Sequence, residues 1–426
     1  MKKLLNPQLI CCGTLALALA TPSLGAGLVR RIDIVGPPGS EEFGSSILAL
    51  PSGNLVIADR RFDLGSTPDV GAVYLYRPNG QLISRLTGSN AYDMVGEQLH
   101  LLTNGNFLVG SDSWGGAPGL APRGAVTWVN GVTGLNGAVS AGNSLVAASG
   151  SSLGWARVTA LPNGHYVLTM PDWSVGESHW LGAVTWGNGV TGTTGIVSAA
   201  NSLVGDQPDD EVGGGSEFGP DSAVVLENGN YVVISNDWRG KRGAVTWCPG
   251  ISPCIGVVSA SNSLIGSNEG DAIGYGGVLP LSTGHYFVSS QRWMNPPLAN
   301  VGAVTWGNGN GGSVGVVSAS NSIVGSSAGD SVSLHASNPV VLAGGNIAMP
   351  LRHWNNGSAV DAGAVVWLNS SGGSVGPVSS ANALVGTSAG DQVGSDLIVL
   401  DNGNYVVNSP NWDRASPCGC GRSDMG

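Results

Sequence analysis

One five-residue word constrains this chain more than any other feature. Gly-Ala-Val-Thr-Trp runs from Gly124 to Trp128, Gly182 to Trp186, Gly243 to Trp247 and Gly302 to Trp306. A near copy spans Gly363 to Trp367, and a degenerate one, Gly-Ala-Val-Tyr-Leu, begins at Gly71. Successive starts lie 53, 58, 61, 59 and 61 residues apart. A period of this size marks a repeat architecture, in which each unit buries its apolar face only by stacking on its neighbours.

Three further landmarks recur with it. A turn followed by a strand begins at Gly53-Asn54, Gly105-Asn106, Gly164-His165, Gly229-Asn230, Gly284-His285, Gly345-Asn346 and Gly403-Asn404. Glycine supplies the positive φ of a tight hairpin turn, and the apolar and β-branched run after it reads as a strand. Upstream lies an apolar residue followed by Gly, as in Phe43-Gly44, Phe218-Gly219, Ile273-Gly274 and Val393-Gly394, which opens another strand. Downstream of the Trp comes a segment such as Val197 to Val204, with relatives at Val139, Val258, Val317 and Val378, expected to be one continuous strand.

A unit therefore reads strand, tight turn, strand, long loop, strand, Gly-rich turn, strand. Four short strands repeated radially predict an all-β, seven-bladed β-propeller with four-stranded blades. The last unit ends after Trp412 without its Gly-Ala-Val-Thr-Trp, so the last blade is expected to be incomplete unless the tail improvises a strand. Leu28 to Val35 resembles a fourth strand and is expected to close the ring from the N-terminal side, which would remove open sheet edges.

Residues 1–25 read as a signal peptide. Lys2 and Lys3 precede an apolar run from Leu9 to Ala20, too short to span a bilayer, and Ser23-Leu24-Gly25 offers small residues for cleavage. The expected domains are then this leader, a propeller over 26–414 and an irregular tail over 415–426. No other segment is long and apolar enough to cross a membrane as a helix. The chain has 69 Gly in 426 residues, only 11% charged residues and a net charge of −11. An acidic, sparsely charged surface argues against nucleic acid, whose binding relies on Lys and Arg neutralising phosphates. Localisation is expected to be secreted, periplasmic or at a bacterial cell surface.

Cys248 and Cys254 stand where sister units have a Gly-Asn-Gly turn, and export favours a local disulfide between them. Cys418 and Cys420, separated by one residue, are too close for an unstrained bridge to each other.

The first unit carries a family likeness. Phe43-Gly44, then Asn54 to Asp59, then Gly71 to Tyr76 resembles the FG-GAP repeat of integrin α-chain propellers. The resemblance implies a seven-bladed propeller and, in that family, binding of protein or matrix. The acidic calcium loop of that family is replaced here by short turns such as Ser52-Gly53 and Asn228-Gly229, which cannot supply six to eight oxygens. Calcium is therefore not carried over. Gly182 to Gly205 and Gly302 to Gly325 are similar to a bacterial repeat of exported, haemagglutinin-like surface proteins, a likeness that implies a surface setting and no chemistry.

Motifs that suggest catalysis read as turns. Gly325-Ser326-Ser327-Ala328-Gly329 and Gly386-Thr387-Ser388-Ala389-Gly390 match a nucleophile elbow, but they join strand to strand where that motif requires a helix. Gly187-Asn188-Gly189 and Gly307-Asn308-Gly309 open glycine patterns with no following helix to hold a pyrophosphate. No cofactor and no metal site are expected. Asp271, Asp330 and Asp391 recur after Gly between units; a carboxylate accepting backbone N–H groups competes there with a cation site.

The best candidates for function lie in the long loops, because loops carry binding on rigid scaffolds. Arg239, Lys241, Arg292, Arg352 and His353 sit there beside Trp238, Trp293 and Trp354, part of a series with Trp114, Trp173, Trp412 and Phe62. Packing between units competes with ligand contact for these Trp residues. The expected function is a non-enzymatic, adhesin-like binding module for a glycan or protein ligand. A glycan-acting enzyme at the same loops and a passive structural repeat are the alternatives.

Overall fold

A computed structural model describes residues 14–19, 30–116, 122–176, 178–215, 222–335, 337–412 and 422–425. The rest of residues 1–25, Phe218-Gly219 and Cys418 with Cys420 lie outside them. The chain divides into two compact units, Met1–His179 with Trp186–Ser198, and Trp180–Thr185 with Ala199–Gly426.

The first unit holds two five-stranded sheets. One orders Ser46–Ala49, Leu55–Asp59, Ala72–Tyr76, Leu82–Thr87 and Gly137–Ala138; the other orders Gln98–Leu101, Phe107–Ser111, Ala125–Val129, Ser144–Val146 and Gly195–Ile196. The hairpin Arg157–Ala160 and Tyr166–Met170 follows. Within the second unit, Leu203–Val204 pairs with Ala183 and Val184 on one side and with Gly256–Val257 on the other. Two further five-stranded sheets centre on Ala244–Cys248 and Ala303–Gly307, and a four-stranded sheet centres on Ala364–Leu368. A three-stranded sheet of Asp396–Val399, Tyr405–Ser409 and Arg422–Met425 ends the order. The architecture is all-β and repeated, as the word spacing predicts.

All seven hairpin glycines have left-handed φ, from 80° at Gly284 to 89° at Gly164. The pattern is a three-residue loop: Leu281 N–H donates to the His285 carbonyl and Gly284 N–H returns to Leu281.

The fifth strand is a departure from the expected four. The segment Val197 to Val204 is not one strand. Gly195–Ile196, just before it, runs parallel to the fourth strand of the preceding sheet, and only Leu203–Val204 joins its own. Asparagine side chains force the break. Asn321 Oδ1 accepts the Ser318 N–H at 2.8 Å while its Nδ2 donates to the Val316 carbonyl at 2.9 Å, folding the chain back locally. In the five five-stranded sheets the next unit thereby covers the sheet edge.

The Thr of the repeated word points inward. Thr127, Thr185, Thr246 and Thr305 hydroxyls lie 2.6–2.7 Å from Ser144, Ser202, Ser263 and Ser322, all buried. In the sixth copy Val366 faces Ala383, so both members of the pair turn apolar together. The Trp of the word reaches the following unit: Trp128 Nε1 donates to Gly189, Trp247 to Gly309 and Trp306 to Ser370.

The two ends depart from the expected closure. Arg422–Met425 pairs antiparallel with Tyr405–Ser409, so the tail does improvise the missing third strand. Arg30–Val35 pairs with Thr14–Leu19, not with the last sheet. An open strand edge takes the nearest extended partner, here Thr14–Leu19 within the apolar run of residues 9–20.

Candidate functional site

The loops between units are fixed by a buried carboxylate. Asp271 Oδ2 accepts the N–H groups of Ser267 and Asn268 at 2.8 Å, and its Oδ1 accepts that of Met294 at 3.0 Å. Asp330 repeats this with Ser326, Ser327 and Asn355, and Asp391 with Thr387 and Ser388. Asp210, which sits in the equivalent stretch of its unit, and Asp93, which sequence reasoning did not single out, do the same. Their oxygens face amide donors, the arrangement of a turn and not of a cation cage. The elbow-like Ser326, Ser327, Thr387 and Ser388 belong to these turns.

The residue after each Asp is left-handed, with φ of 46° at Ala272, 50° at Ser331 and 48° at Gln392. Each donates its N–H to another left-handed residue in the long loop: Lys241, Asn300 and Asp361, at 2.8–3.1 Å. Non-glycine residues held in this region mark backbone that its surroundings over-determine. The long loop and the loop entering the next sheet are thus one joined surface.

The Trp series lies beneath that surface. Trp238, Trp293 and Trp354 are 6%, 4% and 2% exposed, and the last two sit in apolar clusters with residues such as Val288 and Leu351. So buried, these rings pack against their neighbours, the alternative that competes with ligand contact in the sequence. Sequence pattern could not separate the two, because an aromatic beside a loop serves either purpose. The indole N–H groups of Trp114, Trp173, Trp238, Trp293 and Trp354 have no hydrogen-bond partner among the described residues.

The cations fall into separate places. Arg239 pairs with Asp206 at 2.6 Å, and its backbone N–H is held by Asp210. Lys241 is exposed, with Nζ 3.8 Å from Asp237. Arg292 stacks its guanidinium 3.6 Å from the Tyr275 ring centroid and hydrogen-bonds the Tyr275 hydroxyl. Lys241, Asp237, Tyr275 and Arg292 line one cavity of about 300 Å³.

Arg352 and His353 line a second, larger cavity of about 540 Å³. Arg352 Nε donates to His353 Nε2 at 3.1 Å, and His353 Nδ1 lies 3.3 Å from Asp361 Oδ1. Pro350, Leu351, Trp354 and Leu397 form apolar lining, with Asn338 and Asp396 at its polar part. Tyr275, Asn338, Asp361 and Asp396 were missed by sequence reasoning. Tyr275 follows the Ile273-Gly274 landmark, and Asp361 stands two residues before a repeated Gly, so position within the repeat was the available signal.

His165 and His285 take the Asn position of the hairpin and are partly buried. Each accepts a glycine N–H of its own unit through Nδ1, Gly189 at 3.1 Å and Gly309 at 3.0 Å. Cys248 and Cys254 are disulfide-bonded, with Cα atoms 5.5 Å apart. No group of three metal-ligating side chains occurs among the described residues. No helix among them is long and apolar enough to cross a membrane.

The model of a repeat of unknown function (DUF5650) matches residues 101–153, 160–214, 225–275, 280–334, 341–395 and 399–421. No curated protein matches the chain. Among solved structures, the chain is similar to the crystal structure of a protein of unknown function from Bacteroides caccae at 1.35 Å resolution. The two are 16% identical, with 56% of this chain and 72% of that one covered and a TM-score of 0.23. At that TM-score the likeness carries no argument.

Proposed function

Since the chain belongs to a family of repeats of unknown function, we propose from its own geometry that it is an exported, adhesin-like binding module for a glycan or protein ligand. The supporting fold is a seven-bladed propeller, FG-GAP-like in its first unit. Loss of Thr14–Leu19 with the leader frees the edge of Arg30–Val35, the strand such a ring needs to close.

The observation that carries the reading is the joined loop surface. Its backbone is locked by buried Asp residues, and it presents Arg292 and Arg352 beside cavities with mixed apolar and polar lining. Pre-formed concave sites with a few placed polar groups are how small ligands and sugar units are held.

The test is retention of purified protein lacking residues 1–25 on a glycan array and on immobilised cell-surface extracts. A specific set of retained ligands, lost in the Arg292→Ala/Arg352→Ala variant, supports the reading. Absence of any specific retention, or turnover of a polymer substrate, overturns it.

A further inference from the structure

The geometry points to the 540 Å³ cavity beside Arg352 as a subsite for a saccharide that carries a carboxylate. This rests on the binding reading above and names its ligand class.

The argument starts from the hydrogen-bond chain Asp361–His353–Arg352. Arg352 Nε has only a proton to give, so His353 Nε2 is the acceptor. The imidazole proton is then on Nδ1, where it faces the Asp361 carboxylate. This chain fixes the guanidinium by its Nε alone. Its two terminal nitrogens have no partner among the described residues, and the side chain is exposed. A planar guanidinium held this way offers two parallel N–H donors, the geometry that matches a carboxylate.

The rest of the cavity suits a sugar ring. Pro350, Leu351 and Leu397 line it and give an apolar floor for C–H groups. Asp396 spends Oδ1 on the Leu397 N–H, while Oδ2 has no partner among the described residues. Asn338 is exposed, and its amide is likewise without a partner there. A carboxylate and an amide free to accept and donate are the groups that read sugar hydroxyls. The volume falls within the roughly 300–1,000 Å³ of small-molecule sites. Among the described lining residues Arg352 is the one permanent cation, and Asp330, the buried acid of the lining, is already held by amide donors.

Isothermal titration of the protein lacking residues 1–25 tests this with tetragalacturonate against its methyl ester, and with sialyllactose against lactose. The first pair probes uronates and the second sialates. We expect at least one acid to bind tenfold or more tighter than its neutral partner. Arg352→Ala should erase that preference, Arg352→Lys should restore part of it, and Asp396→Asn should weaken both forms alike. Thermal melts of the variants should match the parent, since both side chains are exposed. Equal binding of acid and neutral forms, or a preference that survives Arg352→Ala, overturns the assignment. If neither acid binds while another ligand is retained in an Arg352-dependent way, the ligand class falls and the binding reading stands. If nothing is retained at all, both fall.

Discussion

His165 Nδ1 accepts the backbone N–H of Gly189 at 3.1 Å, doing for its unit what Asn106 Oδ1 does for Gly131 at 3.0 Å. An acceptor nitrogen must stay unprotonated. Burial lowers the His165 pKa below its ordinary 6.5, and it does the same at His100. The unfolded chain therefore takes up protons first as pH falls. The stability these groups contribute is fully present above pH 6.5 and is lost as pH drops below it. Chemical denaturation between pH 7.5 and 5 should show this loss, and His165→Asn should reduce it while keeping stability at pH 7.5. An unchanged pH slope in His165→Asn would contradict the assignment.

Asp112 predicts the opposite slope. Burial, with Glu97 nearby, pushes its pKa up to about 6, against the lowering effect of the Gln98 hydrogen bond. Because the fold penalises the charged form, its stability is greatest below 3.8 and is lost between there and about 6. Asp112→Asn should stabilise the protein at pH 7.5 by on the order of 1 kcal/mol, discounted for partial exposure. The gain should vanish at pH 4. A variant less stable at both pH values would rule this out.

Gly307 closes a different contact. A Cβ there would lie 2.1 Å from the Tyr286 ring, as one at Gly187 would lie 2.0 Å from Tyr166. Gly307→Ala should cost about 1–3 kcal/mol through overpacking. Urea unfolding measures it, and a neutral effect would show that the ring has room to move.

Trp354 and Arg352 are neighbours with separate roles. Trp354→Ala should destabilise by about 3–5 kcal/mol, as expected for a buried aromatic. Arg352→Ala should leave the melting temperature in place. A fall in melting temperature with Arg352→Ala would make it a structural residue.

The repeat word, the hairpin glycines and the cysteine pair made much of this fold legible, because each imposes a local backbone requirement. Gly284 needs a left-handed φ whatever surrounds it. The fifth strand was not legible: Gly315–Val316 pairs with a sheet some 50 residues upstream, and only the Asn321 turn makes it leave its own. The improvised strand Arg422–Met425 was only an open alternative, since it shares no residues with the repeat word. At the site, Arg352 and His353 were found by type and loop position. Asp396 becomes visible only when the following sheet brings it to the cavity lined by Arg352, and Asp361 only when the loop sets it 3.3 Å from His353 Nδ1.

The central claim is that the joined loop surface, and not the hairpin-turn side of the sheets, carries binding. The direct measurement compares ligand retention by the parent, by Arg292→Ala/Arg352→Ala, and by Asn310→Ala/Ser371→Ala, whose exposed residues lie in the turns on the other side. All three are first matched for melting temperature. The account predicts loss of retention in the Arg pair and parent-like retention in the turn pair. Retention that ignores the Arg pair and falls with Asn310 and Ser371 would contradict it.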